Sequence, residues 1–258
     1  MSSIDPSPML QPIALVTGGA RRVGAVISQR LAEAGYAVII HANASLDEAL
    51  ALAAEIESMG GKAKVLAANL LDAEERDLLI PRASDIFGPL SLLVNNAAIF
   101  HSDAFMDFTD ASFEQHMAIN LLAPIALARE FARRALEGSN ASIVNIVDHR
   151  VLKLTPQHFT YTLSKAALNV ATVTMAQALA PRIRVNAVGP GPTLANLHDG
   201  EEGLREEASG VPLGRAVDPK DISDAVLYLA RARNVTGEMI AVDAGQHIGW
   251  QTPDIIMK

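Results

Sequence analysis

The chain has 258 residues, half of them apolar, and a formal net charge of −8. That length suits one α/β domain with helices covering both faces of a buried sheet, and the acidic balance argues against nucleic acid, which selects a basic footprint. The absence of cysteine excludes disulfides, thiol catalysis and thiolate metal sites.

Residues 1–11 read as a polar, proline-containing tail without the charged-then-apolar pattern of a signal segment. No apolar run approaches the ~20 residues of a membrane span, so a cytoplasmic protein is expected. Residues 12–258 read as a single domain. Ile13 to Val16 is a strand-length apolar run, followed by a glycine turn and a helix from Val23 to Ala34, with Val23, Ile27 and Leu31 four apart on one face. Gly35 is a C-cap. Ala37 to His41 is a second strand. Ser45 to Met59 is a helix, with Ser45 and Glu48 forming a capping box. Lys62 to Ala67 is a third strand, and Asp72 caps a helix to Phe87 that Pro81 should kink. Leu90 to Asn95 is a fourth strand.

Phe100 to Thr109 reads as a loop and Ala111 to Leu136 as a long helix kinked at Pro124. Ser142 to Val147 is a fifth strand, 149–156 a loop, Gln157 to Leu179 a second long helix, and Ile183 to Val188 a sixth strand. Residues 189–213 form a glycine-, proline- and acid-rich excursion, whose length favours a substrate lid over about 192–213. Asp218 to Ala230 is a helix and Met239 to Val242 the last strand. The alternation demands a Rossmann-type doubly wound parallel sheet of seven strands.

The first turn reads Thr17-Gly18-Gly19-Ala20-Arg21-Arg22-Val23-Gly24. Glycines there let the backbone approach a pyrophosphate, and the helix N-terminus offers unpaired N–H groups and a positive dipole end. Four further motifs follow in order: Asn95-Asn96-Ala97-Ala98, Asn120, Tyr161-Thr162-Leu163-Ser164-Lys165, and Arg184-Val185-Asn186 leading to Gly189-Pro190-Gly191 with Thr193. Tyr161 and Lys165 share one helix face. A Lys cation one turn away is expected to favour tyrosinate, so Tyr161 can serve as an acid–base group near neutrality.

Together these motifs resemble the short-chain dehydrogenase/reductase family, over roughly Ile13 to Gly245. The resemblance implies catalytic roles for Tyr161, for Lys165 (which also holds the nicotinamide ribose) and for Asn120 (which supports a relay water). It also implies a nicotinamide cofactor held by Gly18, Arg21, Arg22, Val23 and Gly24, by His41, Asn43 and Ser45, and by Asn69 and Leu70. Asn96, Ala97 and Ala98, Tyr161 and Lys165, and Pro190, Gly191 and Thr193 complete that set. A homotetramer is implied too, with Ala166, Ala167, Val170, Val173 and Thr174 as a close-packing helix face.

One departure narrows the reading. The usual catalytic serine stands thirteen residues before the tyrosine, and here that position is Asp148. An Asp suits a nitrogen heterocycle that must be protonated or gripped by its N–H groups. The pteridine reductase branch, which extends to bacterial dihydromonapterin and dihydrofolate reductases, carries this Asp. It also has an Arg in the turn (Arg22), an aromatic after the Asn-Asn motif (Phe100), and a His at the end of strand two followed by a polar residue (His41, Ser45). Arg22, Phe100, Asp148 and Tyr161 are thus the expected substrate-binding residues. Departures from the branch are Ala44, Ala98 and Asn69. Residues 41–46 contain no acid for a ribose 2′-OH, and Arg22, His41 and Ser45 can meet a 2′-phosphate, so NADPH is expected over NADH. There is no metal-ligand spacing. Reduction of a pterin or folate is the leading expectation, carbonyl reduction the alternative, and a catalytically silent NADP-binding regulator the third.

Overall fold

Seven short apolar runs supply the strands: β1 (Ile13–Val16), β2 (Ala37–Ala42), β3 (Lys62–Ala67), β4 (Leu92–Asn95), β5 (Ala141–Ile146), β6 (Ile183–Pro190) and β7 (Met239–Val242). The computed structural model describes residues 11–195 and 200–250. All strand pairs are parallel, in the order β3-β2-β1-β4-β5-β6-β7. β1, β2, β4 and β5 are buried along their whole length, as strands covered on both faces must be. β3 lies at an edge and exposes Lys62 and Lys64, charge that discourages pairing with another chain.

The helices are α1 (Arg22–Glu33), α2 (Leu46–Ser58), α3 (Ala73–Phe87), α4 (Asp110–Met117), α5 (Ala123–Arg134), α6 (Phe159–Leu179), α7 (Gly200–Ser209) and α8 (Pro219–Arg231). Alternate residues of each strand face two separate cores. One contains Val16, Ile27, Leu31, Ile40 and Leu229; the other contains Leu15, Ile39, Leu79, Leu127 and Phe131. Ile27 and Leu31 are fully buried, and each such side chain contributes about 1.5–3 kcal/mol. The strand order reverses between β1 and β4, which opens a crevice at their carboxyl ends.

Several local expectations meet a different outcome. Ser45 occupies the N-cap of α2 but makes no side-chain capping bond, and Glu48 pairs with Arg21 at 3.5 Å, so the expected capping box is not formed. Asp72 does cap α3, accepting the N–H groups of Glu74 and Glu75, and α3 runs on through Pro81. The expected long helix over 111–136 is divided: a π-helical turn, Ala118–Leu122, separates α4 from α5, and Pro124 lies in the first turn of α5. Pro124 has no N–H to give the carbonyl of Asn120, so an unbroken α-helix would lose a bond there. The acid-rich excursion contains α7, whose one buried side chain is Ala208; so thin an apolar stripe leaves little periodic signal. Glu201, Glu202, Glu206 and Glu207 are exposed, whereas Asp199 lies outside the described residues. Among the described residues no helix is long and apolar enough to cross a membrane.

Candidate active site

A cleft of about 650 Å³ opens at the carboxyl ends of the strands. Its floor is the turn between β1 and α1. Gly18 sits at φ 58°, a conformation that disfavours side chains. A Cβ on Gly24 would stand 2.1 Å from the Gly18 carbonyl and 2.6 Å from the Asn96 amide, so only glycine lets the helix start this close to the turn. Thr17 Oγ1 accepts the N–H groups of Asn96 and Ala97, both at 3.0 Å, and Asn96 Nδ2 donates to the carbonyls of Thr17 and Gly18. The Asn-Asn motif after β4 therefore braces the glycine turn.

His41 has a different task from the expected one. Gly18 N–H donates to its Nδ1 at 3.1 Å, and its Nε2 stands 3.0 Å from the Ala68 carbonyl. This fixes one neutral tautomer, with the proton on Nε2, and burial pushes the pKa below the usual histidine value. With both nitrogens taken, His41 has no free donor for a 2′-phosphate, which corrects that expectation. Arg22 lines the cleft and crosses it, adopting φ 53° and reaching the carbonyls of Leu194 and Ala195, at 3.2 and 2.9 Å. Arg21, Asn43 and Ser45 line the cleft beyond the end of β2, with Arg21 paired to Glu48 at 3.5 Å. Asn69 also lines the cleft, but its Oδ1 accepts the Leu71 N–H. Thr193 binds the Gly191 carbonyl and is not part of the lining, whereas Val23, Leu70, Ala97, Ala98, Pro190 and Gly191 are.

At the other end, Tyr161 donates its hydroxyl to Asp148 Oδ2 at 2.9 Å. The opposite oxygen, Oδ1, faces His149 Nδ1 at 3.1 Å, the Arg150 N–H at 2.9 Å and Arg150 Nη1 at 3.4 Å. Burial raises the Asp148 pKa, but His149 and Arg150 outweigh it and hold the carboxyl below its usual range. The group is therefore ionised. Tyr161 goes the other way: burial, then the Asp148 charge, push its pKa well above 10. The lowering expected from Lys165 does not prevail: burial is the larger opposing cause, and the Asp148 charge adds the opposition that a carboxylate at this position implies. Lys165 Nζ donates to the Ile146 carbonyl at 2.7 Å and stands 5.8 Å from the Tyr161 ring. Burial lowers its pKa to about 8, against the opposing pull of Asp148.

Asn120 is fully buried in the π-helical turn and spends its side chain on Ile99 N–H, the Ile99 carbonyl and Ser164 Oγ. Any part it takes in catalysis falls to its main chain. Phe100 does not line the cleft wall; it borders the tyrosine, edge-on at 4.7 Å, and packs on His158 at 4.4 Å. Among the described residues, no group of three His, Asp or Glu side chains could hold a metal ion. Sequence reasoning missed His149 and Arg150 as the partners of Asp148, though their adjacency to it was a usable signal.

The chain matches a family model described as enoyl-(acyl carrier protein) reductase over residues 18–247. It is also similar to the solved short-chain dehydrogenase/reductase from Serratia marcescens, at 31% identity and a TM-score of 0.87, covering 93% of this chain and 100% of that one. The chain belongs to the short-chain dehydrogenase/reductase family. Within the family, it resembles FolM alternative dihydrofolate reductase 1 from Brucella suis, solved in complex with NADP. That match has 46% identity, a TM-score of 0.92, and coverage of 96% of this chain and 99% of that one. The 3-oxoacyl-(acyl-carrier-protein) reductase of Staphylococcus aureus is 31% identical, over 91% of this chain and 98% of the relative. Short-chain dehydrogenase/reductases of differing substrates thus share the scaffold, and the residues around Tyr161 have to discriminate between them.

Proposed function

We propose that this protein is an NADPH-dependent reductase of a reduced pterin or folate, acting on a C=N bond. The observation that carries the reading is Asp148: an ionised carboxylate, bonded to the Tyr161 hydroxyl, where the family places a serine. The similarity to a dihydrofolate reductase solved with NADP supports both substrate class and cofactor. The glycine turn suits a dinucleotide, since it lines the cleft at the N-terminus of α1, where backbone N–H groups and the helix dipole favour a pyrophosphate. Strand β2 ends without a carboxylate for a ribose 2′-OH, and Arg21 with Ser45 offers donors to a 2′-phosphate.

When bound, the nicotinamide supplies the hydride. Tyr161 supplies the proton, and its raised pKa suits a donor: the hydroxyl stays protonated across neutral pH. Carbon takes the hydride and the adjacent nitrogen takes the Tyr161 proton, so C=N becomes CH–NH. Asp148 accepts N–H groups of the ring, while Phe100, packed on His158 outside the cleft lining, borders Tyr161 and does not present the expected stacking face. Lys165 places a cation beside the developing tyrosinate, and the main chain of Asn120 supports the water that refills the proton. A cytoplasmic location is part of the same proposal, in keeping with chemistry that draws on a reduced nicotinamide pool. Ala166, Ala167, Val170, Val173 and Thr174 are part-exposed or exposed on α6, and we infer that they pack against a second copy in a homotetramer, which sedimentation tests.

The deciding experiment follows NADPH oxidation with a dihydropterin, dihydrofolate, a 3-oxoacyl thioester and simple ketones. Turnover of the pterin or folate supports the reading. Turnover of carbonyls alone refutes it in favour of the carbonyl reductase that the Staphylococcus relative exemplifies.

A further inference from the structure

Helix α6 carries Tyr161 in its first turn but has no side-chain cap of its own. His158, at the N-cap, lies at φ 54° and makes no capping bond. The cap comes from Asp103, in the loop after the Asn-Asn motif. Its main-chain carbonyl accepts the Phe159 N–H at 3.2 Å, its Oδ1 accepts the Thr160 N–H at 3.0 Å, and its Oδ2 accepts the Thr160 hydroxyl. Thr160 Oγ1 stands 2.7 Å from His116 Nδ1, and His116 Nε2 accepts the His101 N–H at 3.2 Å.

These bonds have one consistent direction. His101 N–H gives to Nε2, so the His116 proton sits on Nδ1 and is given to Thr160, whose own proton goes to Asp103. His116 and Thr160 have no exposure, so water cannot substitute for a missing partner. Phe100 is on the same loop and meets the Tyr161 ring edge-on. The Asp103 carboxylate and the Thr160 hydroxyl thus join the loop that carries Phe100 to the helix that carries Tyr161, beside the Asp103 carbonyl bond to Phe159 and the Ala104–Gln157 bridge.

We propose that Asp103 is a positioning residue of the reaction. It caps α6 from the loop and so sets the Tyr161 hydroxyl and the Phe100 ring relative to one another. A carboxylate suits the place, since the N-terminal end of a helix favours negative charge. Asp103 acts through Thr160 and α6, and the assignment rests on the reading of Tyr161 as proton donor.

The test uses the full-length protein with NADPH bound and the variants Asp103→Asn, Thr160→Val and Thr160→Ser. Asp103→Asn and Thr160→Val should each cut kcat per NADPH-binding site about tenfold, as for one lost hydrogen bond to a charged group. Thr160→Ser, which keeps the hydroxyl, should stay within about twofold, and NADPH affinity should not change in any of them. The double variant should be no slower than either single, since both break the same link. Amide hydrogen exchange supplies a readout that needs no substrate: in Asp103→Asn, residues 100–108 and 159–162 should lose protection together. Wild-type turnover per site in both variants, or loss of protection in only one of the two segments, overturns the proposal. A wild type that reduces nothing in the panel refutes the reductase reading instead, and exchange alone then decides the link.

Discussion

Replacing Asp148 with Asn keeps the shape of the side chain and removes its charge. The carboxylate accepts the Tyr161 hydroxyl at 2.9 Å, and only 13% of the Asp148 side chain is exposed. A hydrogen bond to a charged group contributes about 1.5–3 kcal/mol, and each ~1.36 kcal/mol is about tenfold in rate. Turnover of a dihydropterin should therefore fall roughly 10- to 100-fold. NADPH affinity should stay within about twofold, because Asp148 bonds nothing in the glycine turn. The pH dependence has a definite sign. The Asp148 charge is the second cause, after burial, that raises the Tyr161 pKa, and it also raises that of Lys165. Without it both groups titrate earlier, so the alkaline limb of the kcat profile moves to lower pH. Steady-state NADPH oxidation across a pH series reads both quantities. Turnover within about twofold of wild type, with an unmoved alkaline limb, would refute the role assigned to Asp148.

His41→Phe leaves the Gly18 N–H and the Ala68 carbonyl without partners, at about 1–3 kcal/mol for each buried group; NADPH affinity by fluorescence titration should drop tenfold or more, and an unchanged affinity would show that the turn holds its shape without the imidazole. Acid should destabilise the fold. Burial depresses the pKa of His41, His116 and His158 below 6.5, so the unfolded chain binds more protons, and the stability they contribute is present above about 6.5 and lost as pH falls. Asp148 is depressed as well and extends the loss to lower pH. A melting temperature that stays flat or rises from pH ~7.5 to ~5 contradicts this. Arg21→Gln should lower the preference for NADPH over NADH by about tenfold, and equal losses for the two cofactors would move the 2′-phosphate contact elsewhere.

The strands and the glycine turn were legible because local composition dictates them: a four-residue apolar run before a turn has few other places to go. The Tyr161–Lys165 pair was legible from the helix period. What the period could not carry was burial. Spacing puts a lysine near the tyrosine and a carboxylate thirteen residues before it, whose opposing charge was legible; the desolvation that is the largest cause of the raised pKa comes from three-dimensional packing. His41 was found as a residue and misread as a phosphate contact, since a sequence does not say which way a side chain turns at the end of a strand. The link from Asp103 through Thr160 to His116 left no local signal, because its members lie 57 and 44 residues apart. Pro124 marked a disturbance in the long helix, but its position did not say that the break would take the form of a π-helical turn over Ala118–Leu122.

The engagement of His41 bears on redesign of cofactor choice. Exchanging a residue at the end of β2 for an acid is the obvious route from one nicotinamide cofactor to the other, and position 41 looks like the natural place. It is closed, because a carboxylate there has no proton to give the Ala68 carbonyl, which His41 Nε2 meets at 3.0 Å, and its charge would be buried beside that carbonyl. Asn43 is exposed, lines the same cleft and has no such duties among the described bonds. An engineer seeking an NADH-dependent version would leave the imidazole alone and write the carboxylate two residues later.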